Sequence, residues 1–403
     1  MQVAANLRRF FTERHTLATG LTFSTDSLMF GSWITYIPYI KSNLHLNDAQ
    51  LGLALFGMPL GLLIMNPFSA RFIARWGLAT TTTWATALLM LSFALPMWMP
   101  ERWSLMAALT LNGMVVAVLN VAMNTCATNI ERHEQRHIMS TCHGMWSLGG
   151  MIGSGTSALL IAAGASPRLH MTALALVISA VALGWMRPIL ATLPGEAPSG
   201  PLPLDAGLPD APPATADQGR TFAWPNRDLL LMIFIGITVA MSEGVAFDWS
   251  GVYLRDELGA PAQLAALGFT CFSLAMMSLR FLGDALIPRF GERNVLYFTS
   301  FCSAMALGII VLAQQPLWAI GGFLLLGGGV ALGAPILFNA AARVPGLAAG
   351  AGLATYATFS FMGFLAGPPF IGWVGEHWSL ATGFAVVMML CMSALLAVRT
   401  VRL

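Results

Sequence analysis

The chain has 403 residues, of which 57% are hydrophobic and only 9% are charged, with a formal net charge of +2. Soluble domains carry about 25% charged residues, and here the apolar residues form long continuous runs. This composition excludes a soluble globular protein and indicates one that crosses a lipid bilayer many times. A net charge so close to zero gives no reason to expect a nucleic-acid partner.

Twelve apolar segments are long enough to span a bilayer, which takes roughly 20–25 residues. They predict an all-α membrane protein with twelve transmembrane helices, at 16–40, 49–70, 78–98, 103–130, 138–164, 167–187, 228–254, 261–287, 293–314, 316–341, 346–374 and 377–399. The first segment contains Asp26 and reaches Lys41 without a small-residue cleavage site. It is therefore predicted to be an uncleaved helix and not a signal peptide.

The distribution of basic residues predicts the orientation of these segments. If both termini are cytoplasmic, most arginines, Arg280 among them, fall on the cytoplasmic side. The opposite side then receives only Lys41, Arg102, Arg168 and Arg255. This bias is the one that cytoplasmic loops show, so we expect a multi-pass protein of the cell inner membrane with both termini inside.

A segment rich in Pro, Ala, Gly and Asp divides the chain, and it is too poor in apolar residues to bury a core. We predict a flexible cytoplasmic linker at 188–226, between an N-terminal six-helix half at 1–187 and a C-terminal six-helix half at 227–403.

The two halves look like repeats of one another. Matching motifs recur in the same order and at a nearly constant separation, among them Ala49-Gln50-Leu51 with Ala262-Gln263-Leu264, and Arg75-Trp76-Gly77 with Arg289-Phe290-Gly291. Duplicated six-helix halves are typical of transporters, whose solute site lies at the interface between the repeats.

Three carboxylates lie inside predicted spans and well away from their ends, where a charge costs at least a few kcal/mol. Asp26 belongs to the first segment, and Glu243 and Asp248 belong to the seventh. Each is a candidate for carrying a proton, with Glu243 first and Asp26 second. The alternative is a neutral or paired acid that only holds helices together. In a regular α-helix, residues five apart differ by about 140°, so Glu243 and Asp248 are not expected to share a face.

Amides, aromatic rings and one histidine supply candidate solute contacts. Asn120 and Asn124 form part of a polar stripe in the fourth segment, and Asn124 corresponds to Asn339 in the second half. Such a set suits a sugar-like solute or a cation, although ordinary helix packing would also account for each residue. The remaining candidates are Trp33, Tyr36, His143, Trp146, Trp249, Tyr253 and Tyr356.

The chain lacks a nucleotide-binding loop, a metal-ligand cluster and a nucleophile with a base at a recognisable spacing. We therefore expect neither an ATP-driven pump nor an enzyme, and no cofactor or metal. Its five cysteines all lie in apolar runs and form no disulfide framework.

The chain resembles the major facilitator superfamily over its whole length, and within it the bacterial YbjJ-like branch, relatives of the fucose permease. The motifs that carry the resemblance are Gly31-Ser32-Trp33, Ile37-Pro38, Ala49-Gln50-Leu51-Gly52, Val121-Ala122-Met123-Asn124, Glu243-Gly244, Asp248-Trp249-Ser250 and Gly367-Pro368. The resemblance implies a cytoplasmic gate at the loops after the second and eighth helices. Arg75 and Arg289 match that motif, and Asp284 would supply an acid that is missing from its usual place.

These observations lead to one main hypothesis and two alternatives. The main hypothesis is a monomeric, proton-coupled transporter that takes up a small polar solute through the lipid bilayer by alternating access. The first alternative is proton-driven efflux of an amphipathic compound, which the 24 methionines would suit. The second is a membrane sensor that binds a solute without moving it.

Overall fold

A computed structural model describes residues 9–135, 138–193, 225–344 and 351–402, without the side chains of residues 284 and 285. Twelve long helices account for nearly all of these residues, and the described ranges contain no β-strand. The helices are α1 Arg14–Asn43, α2 Asp48–Trp76, α3 Leu78–Trp98, α4 Arg102–Glu134, α5 Met139–Ala162, α6 Pro167–Leu190, α7 Arg227–Asp256, α8 Leu267–Phe290, α9 Glu292–Leu312, α10 Pro316–Ala342, α11 Ala351–His377 and α12 Leu380–Thr400.

Eleven helices in the described ranges are long and apolar enough to cross a membrane by length and composition alone. The remaining one, α1, is 30 residues long but carries many polar side chains, several of them buried threonines and serines. The predicted all-α fold is thereby confirmed. The helices α2, α4 and α11 extend beyond the predicted spans by a few residues at one or both ends.

The helices separate into two compact units, Met1–Leu46 with Leu53–Leu202, and Asn47–Gly52 with Pro203–Leu403. In the first unit α1 packs on α5, α2 on α4, and α3 on both α4 and α6. In the second unit α7 packs on α11, α8 on α10, and α9 on both α10 and α12. The same pairing order therefore recurs six helices later, as expected for repeated halves.

A matching turn supports the repeat at the level of single residues. Gly77 after α2 has φ 79° and ψ 158°, and Gly291 after α8 has φ 80° and ψ 147°. This backbone region is open in practice only to glycine. Each glycine N–H also closes its helix, on the carbonyl oxygens of Ile73 and Ile287 respectively. The two loops consequently share one local geometry.

Glycines bring α1 and α5 into close contact within the first unit. A Cβ atom at Gly149 or Gly153 would overlap the backbone carbonyls of Ser24 and Leu28, and one at Gly31 would overlap that of Gly150. Small residues at helix crossings let two backbones approach in a membrane. This close crossing determines which side chains of α5 can reach Asp26.

Candidate functional site

In the first unit, Asp26 accepts a hydrogen bond from an aromatic residue of α5. The Trp146 indole Nε1 donates to Asp26 Oδ2 over 3.0 Å, and Asp26 is buried. On the same face of α1, Phe30 lies 6.2 Å from the Trp146 ring and Phe23 contacts His143 edge-on at 5.4 Å. The structure therefore brings Asp26, His143 and Trp146 together along one crossing.

The polar stripe of α4 has two different environments. Asn112 is fully buried and donates to Ser92 Oγ, so this part of the stripe joins α4 to α3. Asn124 donates to the backbone oxygen of Asn120 at 2.8 Å and to its Oδ1 at 3.2 Å, while Asn120 itself is exposed. Asn124 Oδ1 is buried with no hydrogen-bond partner among the described residues. It can accept a hydrogen bond from a donor that is not part of the described protein.

Trp33 and Tyr36 lie in the core of the first unit. Trp33 is 2% exposed and Tyr36 is fully buried. The Tyr36 hydroxyl forms a hydrogen bond with His170 Nδ1 of α6 at 2.8 Å. His170 was not singled out from the sequence, and a histidine close to the start of an apolar span offered no distinguishing signal. These contacts join α1 to α6.

In the second unit, Glu243 faces a positive charge from a neighbouring helix. The Arg280 guanidinium on α8 lies 3.8 Å from Glu243 Oε1. Glu243 is 16 residues from the start of α7 and 13 from its end, or about 24 and 20 Å at 1.5 Å per residue. The sequence alone suggested a cytoplasmic position for Arg280, and the structure instead pairs it with a residue in the middle of a span.

Arg280 was missed as a site residue for an identifiable reason. The predicted eighth span reaches residue 287, and the arginine lies among the basic residues near that end. The rule applied to the acids, that a charge inside an apolar run needs a partner or a cavity, would have identified Arg280 as well.

A π-helical turn changes the relation between Glu243 and Asp248. Residues Val245–Trp249 form this turn inside α7, and π turns often occur at functional sites. In a π turn the backbone hydrogen bond joins residues five apart instead of four. Side chains five residues apart therefore lie nearer to the same face of the helix than they would in an α-helix. The expectation that the two acids lie about 140° apart assumed a regular α-helix, and the backbone between them is not one. Asp248 Oδ2 leans back to within 3.9 Å of where a Cβ of Gly244 would lie.

Three aromatic side chains of the second unit that we predict to contact the solute are buried. The Tyr253 hydroxyl donates to the Ile310 carbonyl of α9 over 2.7 Å, and its ring lies 5.0 Å from Phe384. Trp249 is fully buried, and its indole N–H has no acceptor among the described residues. Tyr356 is 1% exposed and packs edge-on against Phe338 of α10.

Asn339 adjoins Phe338 on α10 and is half-buried. Its backbone oxygen accepts a hydrogen bond from Arg343 Nε over 3.1 Å. The Phe338–Tyr356 contact thus brings the Asn339 end of α10 close to α11.

The predicted gate residues lie at helix ends. Arg75 and Arg289 are both exposed, and the Arg289 guanidinium lies 5.6 Å from the centre of the Phe290 ring. The side chain of Asp284 lies outside the described residues. Within the described ranges, the structure contains no group of three or more His, Cys, Asp or Glu side chains able to hold a metal ion.

Sequence comparison places these features in a family. A model of the Major Facilitator Superfamily matches residues 18–351. An uncharacterized MFS-type transporter of Yersinia pestis is 29% identical over 385 residues, covering 96% of this chain and 95% of that protein. The membrane protein MosC of Rhizobium meliloti is 25% identical, covering 95% of this chain and 89% of its own length.

Solved structures share the fold at low sequence identity. A D-xylose-proton symporter superposes with a TM-score of 0.74 at 13% identity, covering 96% of this chain and 98% of its own. The nucleoside transporter NupG superposes with a TM-score of 0.66 at 13% identity, again over 96% of this chain and 98% of its own. At 13% identity, these similarities show a shared fold and nothing more.

Proposed function

Because the chain belongs to the Major Facilitator Superfamily, we propose that it carries a small polar solute across the bacterial inner membrane by alternating access, coupled to protons. Membership makes the chain a transporter and not an enzyme. The proposed solute is sugar-like or a related metabolite, and the proposed direction is uptake. The motifs that resemble the YbjJ-like branch and the fold shared with a D-xylose-proton symporter support this choice.

The position of Glu243 is the observation that carries the proton coupling. Its carboxylate lies near the middle of a span, its ion pair with Arg280 is long at 3.8 Å, and Oε1 has no hydrogen bond among the described residues. A charged carboxylate at that depth is expensive, and protonation removes the charge. We propose that Glu243 takes up and releases the transported proton, with Asp26 and Asp248 as further acids of the pathway.

Among the candidate solute contacts, residues with an unused polar atom are the stronger proposals. Asn124 has a buried oxygen without a partner, and Trp249 has a buried N–H without an acceptor. The hydroxyls of Tyr36 and Tyr253 already form hydrogen bonds, with His170 Nδ1 and with the Ile310 carbonyl oxygen respectively. We therefore propose that Asn124 and Trp249 contact the solute, and that the two tyrosines hold helices in place.

Reconstitution into liposomes tests the proposed function. The purified protein is given an inward proton gradient and labelled sugars, sugar acids and nucleosides. We expect uptake of one class to follow the proton gradient, and Glu243→Gln to reduce this gradient-driven uptake at least tenfold. Solute exchange without a gradient should survive in the variant, since exchange needs no net proton movement.

Asp228→Asn is the matched control, because Asp228 lies on the same helix but at its first turn. Gradient-driven uptake that is intact in Glu243→Gln would rule out this residue as the coupling acid. Extrusion of a lipophilic cation without flux of any polar solute would favour the efflux alternative. Solute binding without flux under any gradient would favour the sensor.

A further inference from the structure

Two arginines and two tryptophans lie at one end of the first unit, where α3 ends and α4 and α6 begin. We call Trp98, Arg102, Trp103 and Arg168 the arginine–tryptophan corner. Trp98 is the last residue of α3, Arg102 and Trp103 are the first two of α4, and Arg168 is the second of α6. Because consecutive spans alternate in direction, these three helix ends belong to the same side of the membrane.

Arg168 is held against the end of α3 by two contacts. Its Nε donates to the Met97 carbonyl oxygen over 3.0 Å, and its guanidinium carbon lies 5.4 Å from the centre of the Trp98 ring. The Trp98 indole Nε1 in turn donates to Thr172 Oγ1 of α6 over 3.1 Å. A cation within about 6 Å of an aromatic centre is attracted to the ring. The packing of α3 on α6 therefore fixes this guanidinium in place, while its Nη groups take no part in these contacts.

Neither arginine of the corner forms an ion pair with a described acid. The Arg102 guanidinium lies over the neighbouring Trp103 ring at 4.9 Å. Glu101 is adjacent in sequence and exposed, yet the ion pairs within the described ranges include neither Arg102 nor Arg168. Both arginines are half-buried. The corner consequently presents two positive charges that no described carboxylate balances.

The tryptophans indicate the depth of the corner in the bilayer. Trp98 and Trp103 are 50% and 52% exposed, and both stand at ends of spans. Tryptophan is enriched at the membrane–water boundary because its ring is apolar and its N–H is polar. A guanidinium beside such a ring lies at the level of lipid headgroups. Its planar fork of N–H donors matches the oxygens of a phosphate.

The repeat indicates that the six-helix fold does not require these arginines. In the second unit, the corresponding corner consists of the end of α9 and the starts of α10 and α12. Trp318 of α10 is 67% exposed there. Residues 312–320 and 378–386, however, contain no lysine or arginine. Both units thus keep an exposed tryptophan at this place, and only the first adds cations to it.

From these observations we propose that the arginine–tryptophan corner binds the phosphate of an anionic phospholipid, with Arg168 as the principal contact and Arg102 as the second. The acyl chains lie beside the exposed tryptophan rings. A lipid is favoured over free phosphate because the rings offer an apolar surface that inorganic phosphate cannot cover. This binding is independent of which solute the protein carries.

Native mass spectrometry of the full-length protein in detergent tests the proposal. Phosphatidylglycerol is compared with phosphatidylcholine, whose own choline balances its phosphate, and with glycerol 3-phosphate and inorganic phosphate as soluble competitors. We expect phosphatidylglycerol to bind more tightly than phosphatidylcholine, and the soluble phosphates not to displace it at equal concentration. Arg168→Gln and Arg102→Gln should each weaken its binding by about fivefold, the effect of one basic residue near an anionic lipid surface.

A second variant covers the case in which Arg168→Gln fails to fold without its bond to Met97. Arg168→Lys keeps the charge but loses the planar fork, so phosphatidylglycerol should still bind more weakly than to the unchanged protein. Arg102 contacts only the ring of its neighbour. Arg102→Gln should therefore weaken lipid binding without lowering the melting temperature of the lipid-free protein.

Arg71→Gln is the matched control. Arg71 also lies over an aromatic ring, 5.0 Å from the centre of Phe68, but near the Trp76 end of α2 and so on the opposite side of the membrane. Its loss should leave phosphatidylglycerol binding unchanged. An equal weakening by Arg71→Gln and Arg168→Gln would reveal unselective attraction to any arginine and would overturn the proposal.

Three further results would overturn it. The first is equal binding of phosphatidylcholine and phosphatidylglycerol. The second is an unchanged affinity for phosphatidylglycerol in the double variant Arg102→Gln with Arg168→Gln. The third is displacement of the lipid by a soluble phosphate at equal concentration, which would make the corner a site for free phosphate and not for a lipid.

Discussion

Asp26 and Glu243 are accommodated in chemically different ways. Asp26 receives a neutral N–H from Trp146, while Glu243 faces the cation of Arg280. A neutral donor stabilises a carboxylate without cancelling its charge, whereas a guanidinium does cancel it. The first unit therefore holds an acid whose environment depends on a single aromatic donor, and the second holds a pair whose charges depend on one another.

Removing the indole donor should show how far Asp26 depends on it. Trp146→Phe keeps an aromatic ring but leaves the buried carboxylate oxygen without its partner, and we expect a loss of about 1–3 kcal/mol of stability. Thermal melting in detergent measures this loss. Trp84→Phe is the control, since Trp84 is 46% exposed.

Coupling between the two residues provides the stricter check. In the double variant Asp26→Ala with Trp146→Phe, the stability loss should be smaller than the sum of the two single losses, because each change removes the same hydrogen bond. Additive losses would mean that the bond contributes nothing to stability.

At the scale of the helices, backbone features decide where side chains point. The π turn Val245–Trp249 re-aims Asp248 relative to Glu243 on one continuous helix. The glycines of α5 allow α1 close enough for Trp146 to reach Asp26. In both cases the surroundings of a charged group follow from local backbone geometry.

The turn glycines offer a test that is free of packing effects. A Cβ at Gly77 or Gly291 would contact nothing within 4 Å, but both residues have φ near +80°. Alanine there should cost about 1–3 kcal/mol through backbone strain alone, measured as a lowered melting temperature. Gly321→Ala on α10 also meets open space but lies at ordinary φ, so it should be neutral or slightly stabilising.

Equal losses at all three glycines would contradict this explanation, because Gly321 shares the open surroundings but not the strained backbone.

At the scale of the whole chain, two sets of six helices each contain their own buried contacts. The last helix of the first set ends at Leu190 and the first helix of the second begins at Arg227. We therefore expect each unit to keep its fold without a covalent link across residues 194–224.

Cleavage between the units tests that independence. A protease site inserted between residues 194 and 224 should be cut without lowering the melting temperature. The same site placed in the turn at Gly77, inside the first unit, should lower it on cutting, since α2 and α3 both pack on α4. A lowered melting temperature after cleavage in the 194–224 segment would show that each unit depends on the connection.

Most of the architecture was predictable because the bilayer imposes it. A span needs roughly 20 apolar residues, so the helices are visible as runs, and a charge inside a run stands out at once, as Asp26, Glu243 and Asp248 do. The partners of those charges were not predictable. Which face of α8 meets α7, and which of α5 meets α1, follows from three-dimensional packing that the apolar runs do not encode.

The sequence by itself determined that this chain crosses a membrane as repeated six-helix halves and places acids within its spans, since hydropathy and repetition are properties of the chain order. Only the tertiary structure decided that Glu243 meets Arg280, that Trp146 holds Asp26, and that a π turn re-aims Asp248. The physical reason is that ion pairs and hydrogen bonds act over a few ångströms, and helix packing alone brings residues distant in sequence within that range.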